Sequence, residues 1–182
     1  GTAITGGAGS TAFTSSGLQN SETIGTVTIA YGTGSAASAV AGTYATQVTP
    51  SAGVDGTFTA SNYVITYAKG AIIVDKLAVT VTALTGTKVY DGLLTSAGAP
   101  TVGTLATGDA VLTAPTQVYD DPNVGTTHVL SASGLTIENA AHANVTASYD
   151  ITYTPTGASG EITTRGLTIT ANDVHKSYGT AI

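Results

Sequence analysis

Apolar and polar residues alternate along several short stretches of this chain, a pattern typical of strands that bury one face. Residues 77–83, LAVTVTA, place leucine and valine on one face and threonine on the other. Residues 167–171, LTITA, repeat this pattern with Leu167 and Ile169 facing inward. Gly, Asn, Asp and Pro cluster between such stretches, and no long segment follows the helical period. The sequence therefore predicts an all-β fold of short strands joined by turns.

The chain also contains an internal similarity. The segment NYVITY (62–67) aligns with SYDITY (148–153), and GAIIVDKL after the first segment aligns with GEITTRGL after the second. Equivalent positions in the two segments thereby hold tyrosines: Tyr63, Tyr67, Tyr149 and Tyr153. The alternating stretches LAVTVTA and LTITA follow next, and each leads to a turn with lysine, tyrosine and glycine. Similarity of this kind indicates repeated modules.

The repeat predicts a first module at residues 1–76, a second at 77–166, and the opening strand of a further module at 167–182. The first module lacks an opening strand of the LAVTVTA kind. Because the first four and the last four residues are both GTAI, we expect one period of a longer array. We predict two tandem, elongated, immunoglobulin-like β-sandwich modules. The alternative is β-grasp-like modules, each a sheet with one short helix.

The lysine–tyrosine–glycine turns have the composition of tight turns. The second module has KVYDG, with Tyr90, Asp91 and Gly92, and the tail has KSYG, with Tyr178 and Gly179. Glycine adopts positive φ without strain, and aspartate also favours turns. We therefore expect Asp91 and Gly92 to form the turn and the Tyr90 ring to be mostly buried at the bend.

These motifs carry a resemblance to known bacterial modules. KVYDG after an alternating strand, followed by VGTTHVLSASGLTI, SYDITY and GEIT, resembles the YDG domain of bacterial surface proteins. HKSYG, with AGTY and SNYVITYAKGAIIVDK, resembles the related MBG domain. The resemblance covers nearly the whole chain, in permuted order. It implies tandem stalk repeats of large secreted adhesins, including filamentous-haemagglutinin-like ones, exposed on the bacterial cell surface and without catalytic residues.

Composition narrows the classes of function. The chain has 182 residues, a net charge of −6 and no Cys. Nucleic-acid binding needs a basic face, so the acidic balance argues against it. No apolar run is long enough for a membrane helix, so we do not expect membrane insertion. The lack of Cys removes disulfides, thiolate zinc sites and Cys nucleophiles, and we expect no cofactor.

Two candidate sites remain, each with a structural alternative. Asp120, Asp121 and Asn123 in YDDPN have the oxygen ligands that Ca²⁺ prefers. The alternative is a proline-containing turn in which these side chains bond to the local backbone. The equivalent tyrosines form either a carbohydrate-stacking strip or core positions whose hydroxyls bond to the backbone. Their recurrence in both modules favours the structural interpretation.

The sequence favours a structural stalk or spacer of a large bacterial surface adhesin, which extends a binding region away from the cell. A ligand-binding adhesin domain for carbohydrate or ice is the alternative, and an enzyme is not expected. The expected partners are neighbouring repeats of the same chain. Because the first module lacks its opening strand, it has an unpaired sheet edge. We expect head-to-tail self-association, in which residues 167–177 of one molecule complete the first module of the next.

Overall fold

The computed structural model describes residues 1–154, 160–179 and 181. Within these residues the fold is nearly all β, and no α-helix occurs. Two single-turn 3-10 helices, Ala60–Asn62 and Thr146–Ser148, interrupt the strands. The prediction of an all-β fold is confirmed.

An antiparallel sheet with the strand order β1-β2-β3-β4 occupies the first region of the chain, residues 1–76. Its strands are β1 (Gly7–Ser10), β2 (Ile24–Tyr31), β3 (Gly42–Gly56) and β4 (Gly70–Val74). The long strand β3 pairs with β4 through its first half and with β2 through its second half. Within this region the buried apolar side chains are those of Val27, Ile29 and Ile72. The sheet therefore has little core of its own.

The second region, residues 77–166, contains ten short strands in its described residues. They are β5 (Leu77–Thr82), β6 (Thr87–Val89), β7 (Thr101–Val102), β8 (Ala110–Thr113), β9 (Thr116–Tyr119), β10 (Gly125–His128), β11 (Leu130–Ser133), β12 (Thr136–Glu138), β13 (Tyr149–Thr154) and β14 (Gly160–Thr163). They form the sheets β10-β14-β6 and β13-β5-β7 and the pairs β11-β9 and β12-β8. A continuous apolar core of eleven residues, with Val81, Leu130 and Ile137 fully buried, lies within this region.

Two parallel strand pairs hold the beginning of the second region against its end. Strand β5 pairs with β13 from Leu77 opposite Tyr149 to Thr82 opposite Thr154. Strand β6 pairs with β14, with Lys88 opposite Ile162. Parallel neighbours cannot be joined by a tight turn, so the chain between them has to cross over before it returns. The strands that open this region are therefore completed only when its last strands are in place.

The tail does not form the strand predicted at residues 167–171. Residues 164–177 contain no strand, and the side chains of Leu167 and Ile169 are 84% and 87% exposed. A strand needs a neighbour for its backbone hydrogen bonds, and no strand of the described residues lies beside this segment. Alternation identified a sequence suited to a strand, but the prediction of the strand itself is wrong for this structure. Of the tail predicted at 167–182, residues 180 and 182 lie outside the described residues.

Candidate functional site

The segments around the equivalent tyrosines begin in the same way. Each follows a single turn of 3-10 helix, and the residue that ends that turn is Tyr63 in the first region and Tyr149 in the second. Both tyrosines have an extended backbone, with φ and ψ of −127° and 145° at Tyr63 and −115° and 146° at Tyr149. After this point the second segment continues as β13, whereas residues 64–69 form no strand. Tyr63 and Tyr67 therefore do not lie on a strand in the first region, whereas Tyr149 and Tyr153 both lie on β13.

Two apolar positions of the segment at residues 63–68 are less buried than their counterparts in the second region. Tyr63 is half-buried, and Ile65 is 38% exposed. In the second region Tyr149 is only 5% exposed, and Ile151 packs against the core. The counterpart has the neighbour β5, so the difference follows from the missing strand partner.

A groove of about 520 Å³ lies between this segment and the first sheet. Its lining comes from the sheet, from the segment itself, from the loop between β1 and β2 and from Phe58 after β3. The apolar lining residues include Val27, Ile29, Val48, Phe58, Ile65 and Tyr67. This volume is in the range of about 300–1,000 Å³ that is usual for binding clefts. We call this cavity the strand groove. It occupies the side of the first sheet on which its buried residues Val27 and Ile29 lie.

The edge of the first sheet shows a second difference between the two regions. Strand β4 lies at the edge, with β3 as its neighbour in the described residues. Its counterpart β14 lies between β10 and β6. On β4, Ile73 is 69% exposed. An unpaired edge with exposed apolar side chains is a template for strand addition.

The tail exposes the apolar side chains that would suit such an edge. Besides Leu167 and Ile169, Val174 is 71% exposed and Tyr178 is fully exposed. Gly179 has a φ of 82°, which fits the turn predicted from KSYG. Chain segments with several exposed apolar residues mark binding surfaces when the residues are contiguous.

The hydroxyl groups of Tyr63 and Tyr149 are both held by a carboxylate and a backbone amide. Tyr63 donates to Glu22 and accepts from the backbone N of Gln19 at 3.1 Å. Tyr149 donates to Asp109 at 2.6 Å and accepts from the backbone N of Ala106 at 3.0 Å. The hydrogen bond to Glu22 raises the pKa of Tyr63 above its ordinary value. Burial, and then the bond to Asp109, raise the pKa of Tyr149.

The second tyrosine of each segment also bonds to the backbone. The Tyr67 hydroxyl accepts from the backbone N of Gly53 at 2.9 Å. The Tyr153 hydroxyl accepts from the backbone N of Leu135 at 3.1 Å. These bonds tie each segment to a neighbouring part of its own region, which supports the structural interpretation of the tyrosines.

The KVYDG turn is organised by Lys88. Its Nζ donates to Asp91 Oδ1 at 2.8 Å, to the Thr95 carbonyl at 3.2 Å and to the Leu93 carbonyl. Asp91 also accepts from the backbone N of Leu93 at 2.9 Å, and Gly92 has a φ of 77°, as the turn requires. The hydrogen bond from Lys88 holds the pKa of Asp91 below its ordinary value. The motif therefore closes a loop.

The expectation that the Tyr90 ring is mostly buried is wrong. Tyr90 is 38% exposed, because β6 ends at Val89 and the ring lies beyond the strand. Lys88 is the partly buried side chain on this strand, and its Nζ lies 5.2 Å from the ring centroid of Tyr119. Tyr119, which is 2% exposed, is the tyrosine that fills the core here.

The candidate calcium ligands have other partners. Asp120 Oδ1 lies 2.9 Å from His128 Nδ1, and this hydrogen bond lowers the pKa of Asp120. Asp121 accepts from the backbone N of Asn123 at 2.7 Å, which is the local bonding of a turn. In the residues described, no three His, Cys, Asp or Glu side chains gather into a group that could hold a metal ion. The geometry supports the turn interpretation.

Sequence reasoning missed the role of Gln117, which is 2% exposed. Its Oε1 accepts from the backbone N of Leu84 at 2.7 Å, and its Nε2 donates to the Leu84 carbonyl at 2.9 Å and to Ser96 at 3.0 Å. The side chain thus bonds to the chain that follows β5. The alternation along TQVY could have indicated this burial, because Gln117 lies on the same face of β9 as the buried Tyr119.

The fold and these motifs define an all-β module closed by parallel pairing of its first and last strands. Residues 75–156 match the YDG domain family. The match extends from the link before β5 to the end of β13, so the chain contains a YDG-type module. No curated protein and no solved structure matches the chain. In the described residues, no helix is both long and apolar enough to cross a membrane.

Proposed function

We propose that this chain is a structural stalk or spacer repeat of a large bacterial surface adhesin. In this role it is secreted, is displayed on the cell surface and extends a binding region away from the cell. Its partners are neighbouring repeats of the same kind, each an elongated immunoglobulin-like sandwich. The YDG-type module and the internal similarity of the two regions support this proposal.

The observation that carries the proposal is the short connection between the two regions. Strand β4 ends at Val74 and β5 begins at Leu77, so the residues between them are Asp75 and Lys76. A hydrogen bond from the backbone N of Ala41 to Ser148 Oγ, at 3.0 Å, also joins the regions. A link this short is unlike the Gly/Ser-rich linkers that behave as flexible coils. Limited bending between repeats is what a spacer needs.

Spin-label distances would test the limited bending. The native chain has no Cys, so Thr43→Cys on β3 and Ser131→Cys on β11 give one unique label pair across the link. Both positions are exposed. We expect a single narrow distance distribution, as narrow as that of a control pair within the second region, Ser131→Cys with Thr101→Cys. A broad distribution across the link, with a narrow control, would contradict the stalk proposal.

The strand groove favours one alternative, a ligand-binding adhesin domain that recognises carbohydrate. Phe58, Tyr63 and Tyr67 line this groove, and aromatic faces suit stacking against sugar rings. A glycan array probed with the purified chain tests this directly. Glycan binding that is lost in Phe58→Ala but kept in Tyr90→Ala would favour the alternative over the stalk.

A further inference from the structure

The second region shows the completed form of the arrangement that the first region lacks. There Leu77 lies opposite Tyr149, and Val79 lies opposite Ile151, in the parallel pair β5 and β13. The internal alignment assigns an equivalent to each of these positions. Leu167 is the equivalent of Leu77, and Ile169 is the equivalent of Val79. Tyr63 is the equivalent of Tyr149, and Ile65 is the equivalent of Ile151.

We propose that residues 167–178 of one copy of this chain dock as parallel strands on the first region of a second copy. The first docked strand lies beside residues 63–68, with Leu167 opposite Tyr63 and Ile169 opposite Ile65. The inward side chains of this strand then enter the strand groove, as Val79 and Val81 enter the core of the second region.

The end of the same tail fits the open edge of β4. In the second region Lys88 lies opposite Ile162 in the parallel pair β6 and β14. Aligning the two lysine–tyrosine–glycine turns makes Lys176 the equivalent of Lys88, and Ile72 is the equivalent of Ile162. The proposed register therefore places Lys176 opposite Ile72 on β4, with a link between the two docked strands that is two residues shorter than the link between β5 and β6.

This register satisfies both partners at once. Residues 63–68 and the edge of β4 gain backbone hydrogen bonds, and the docked strand buries side chains that are exposed in the single chain. Leu167 and Ile169, which are more than four-fifths exposed in the single chain, face inward in the docked strand. The contact joins two different surfaces and does not close on itself, so it propagates head to tail.

The proposal does not depend on the stalk function. It uses the strand register of the second region, the groove and the exposed tail. A carbohydrate bound in the strand groove would compete with the docked strand. A spacer that bends freely could still associate in this way, and a rigid spacer could fail to associate, so the two tests have separable outcomes.

Sedimentation velocity over a wide range of protein concentration tests the association. We expect the native chain to lengthen into chains of molecules as the concentration rises. Ile169→Asp places a charge in the groove and weakens association by about tenfold or more, as the loss of one buried apolar side chain predicts. Thr170→Asp, which adds the same charge on the outward face of the docked strand, is the matched control and leaves most of the association intact. Both side chains are exposed in the single chain, so neither substitution threatens its folding.

Disulfide trapping tests the register, and the absence of native Cys makes the background clean. In the proposed register Thr66 lies opposite Thr170, as Thr152 lies opposite Thr80 in the second region. A mixture of Thr66→Cys and Thr170→Cys chains should form a heterodimer under mild oxidation. A mixture of Thr66→Cys and Ala171→Cys chains, shifted by one residue to the other face, should form much less.

Three results would overturn the proposal. The first is a native chain that stays monomeric at every concentration. The second is equal weakening by Ile169→Asp and Thr170→Asp. The third is a Thr66→Cys, Thr170→Cys double variant that forms its disulfide within single molecules, because the tail would then dock in its own chain.

Discussion

Residues 62–67 and 148–153 share four of their six residues, yet the second segment lies in a strand for most of its length and the first does not. Both follow a 3-10 turn and both hold their tyrosine hydroxyls in hydrogen bonds. The two segments differ in whether a neighbouring strand is present. The strand β5 lies beside the second segment, and no strand of the described residues lies beside the first. Strand formation at these positions is therefore decided by pairing rather than by local sequence.

The same difference extends to the core of each region. Of the fourteen buried apolar residues in the described part of the chain, eleven belong to the second region and three to the first. Burial of apolar surface is the main source of folding free energy. We therefore expect the second region to be the more stable unit, and the first to depend on an added strand.

The largest expected effect comes from a core truncation in the second region. Leu130→Ala removes a fully buried side chain and should lower the free energy of unfolding by about 2–5 kcal/mol. Val64→Ala, at a fully exposed position in the first region, should change it by less than about 0.5 kcal/mol. Urea denaturation followed by tyrosine fluorescence measures both. Similar losses of unfolding free energy in the two variants would contradict the expected difference between the two regions.

An intermediate effect is expected from two glutamines that hold backbone amides. Gln117→Ala leaves the partly buried backbone groups of Leu84 without their side-chain partner and should cost about 1–3 kcal/mol. Gln47 bonds to the backbone N of Thr33 at 2.8 Å, but in a more exposed place. Water can replace its side chain, so Gln47→Ala should cost less than about 1 kcal/mol. Thermal unfolding of both variants measures the two losses of stability. A larger loss for Gln47→Ala than for Gln117→Ala would contradict the expected difference between the two regions.

The smallest effect concerns pH and the KVYDG turn. The pKa of Asp91 is lowered in the folded chain, chiefly by the hydrogen bond from Lys88, so the unfolded chain binds its proton first on acidification. The stabilisation is present above the unfolded pKa and is lost as pH falls through the lower, folded pKa. Asp91→Asn should therefore flatten the acid limb of the stability profile. In a Lys88→Met background the same substitution should change little, and an undiminished change there would contradict the assigned cause.

The sequence was sufficient for features that depend on local pattern. Alternation predicted β5, and the KVYDG motif predicted a turn with Gly92 at positive φ. The sequence was insufficient where a neighbouring strand decides whether a segment forms a strand. LTITA at 167–171 has the pattern of a strand and forms none, because no strand of the described residues lies beside it.

The candidate site shows the same division. The alignment predicted that the first module lacks a strand, but the groove could not be predicted, because it depends on how the first sheet packs. Tyr90 was expected in the core, whereas Lys88 and Tyr119 meet there. Alternation cannot say where a strand ends, and β6 ends at Val89, one residue before Tyr90.

The central claim is that the first region lacks one opening strand and that residues 167–178 have the right sequence for it. Hydrogen exchange tests this in a rearranged chain in which residues 167–178 are moved to precede Gly1. The account predicts that the backbone amides of residues 64–67 exchange rapidly in the native chain at low concentration. In the rearranged monomer, the alternate amides of this segment that face the added strand become strongly protected. Rapid exchange of these amides in both chains would contradict the account.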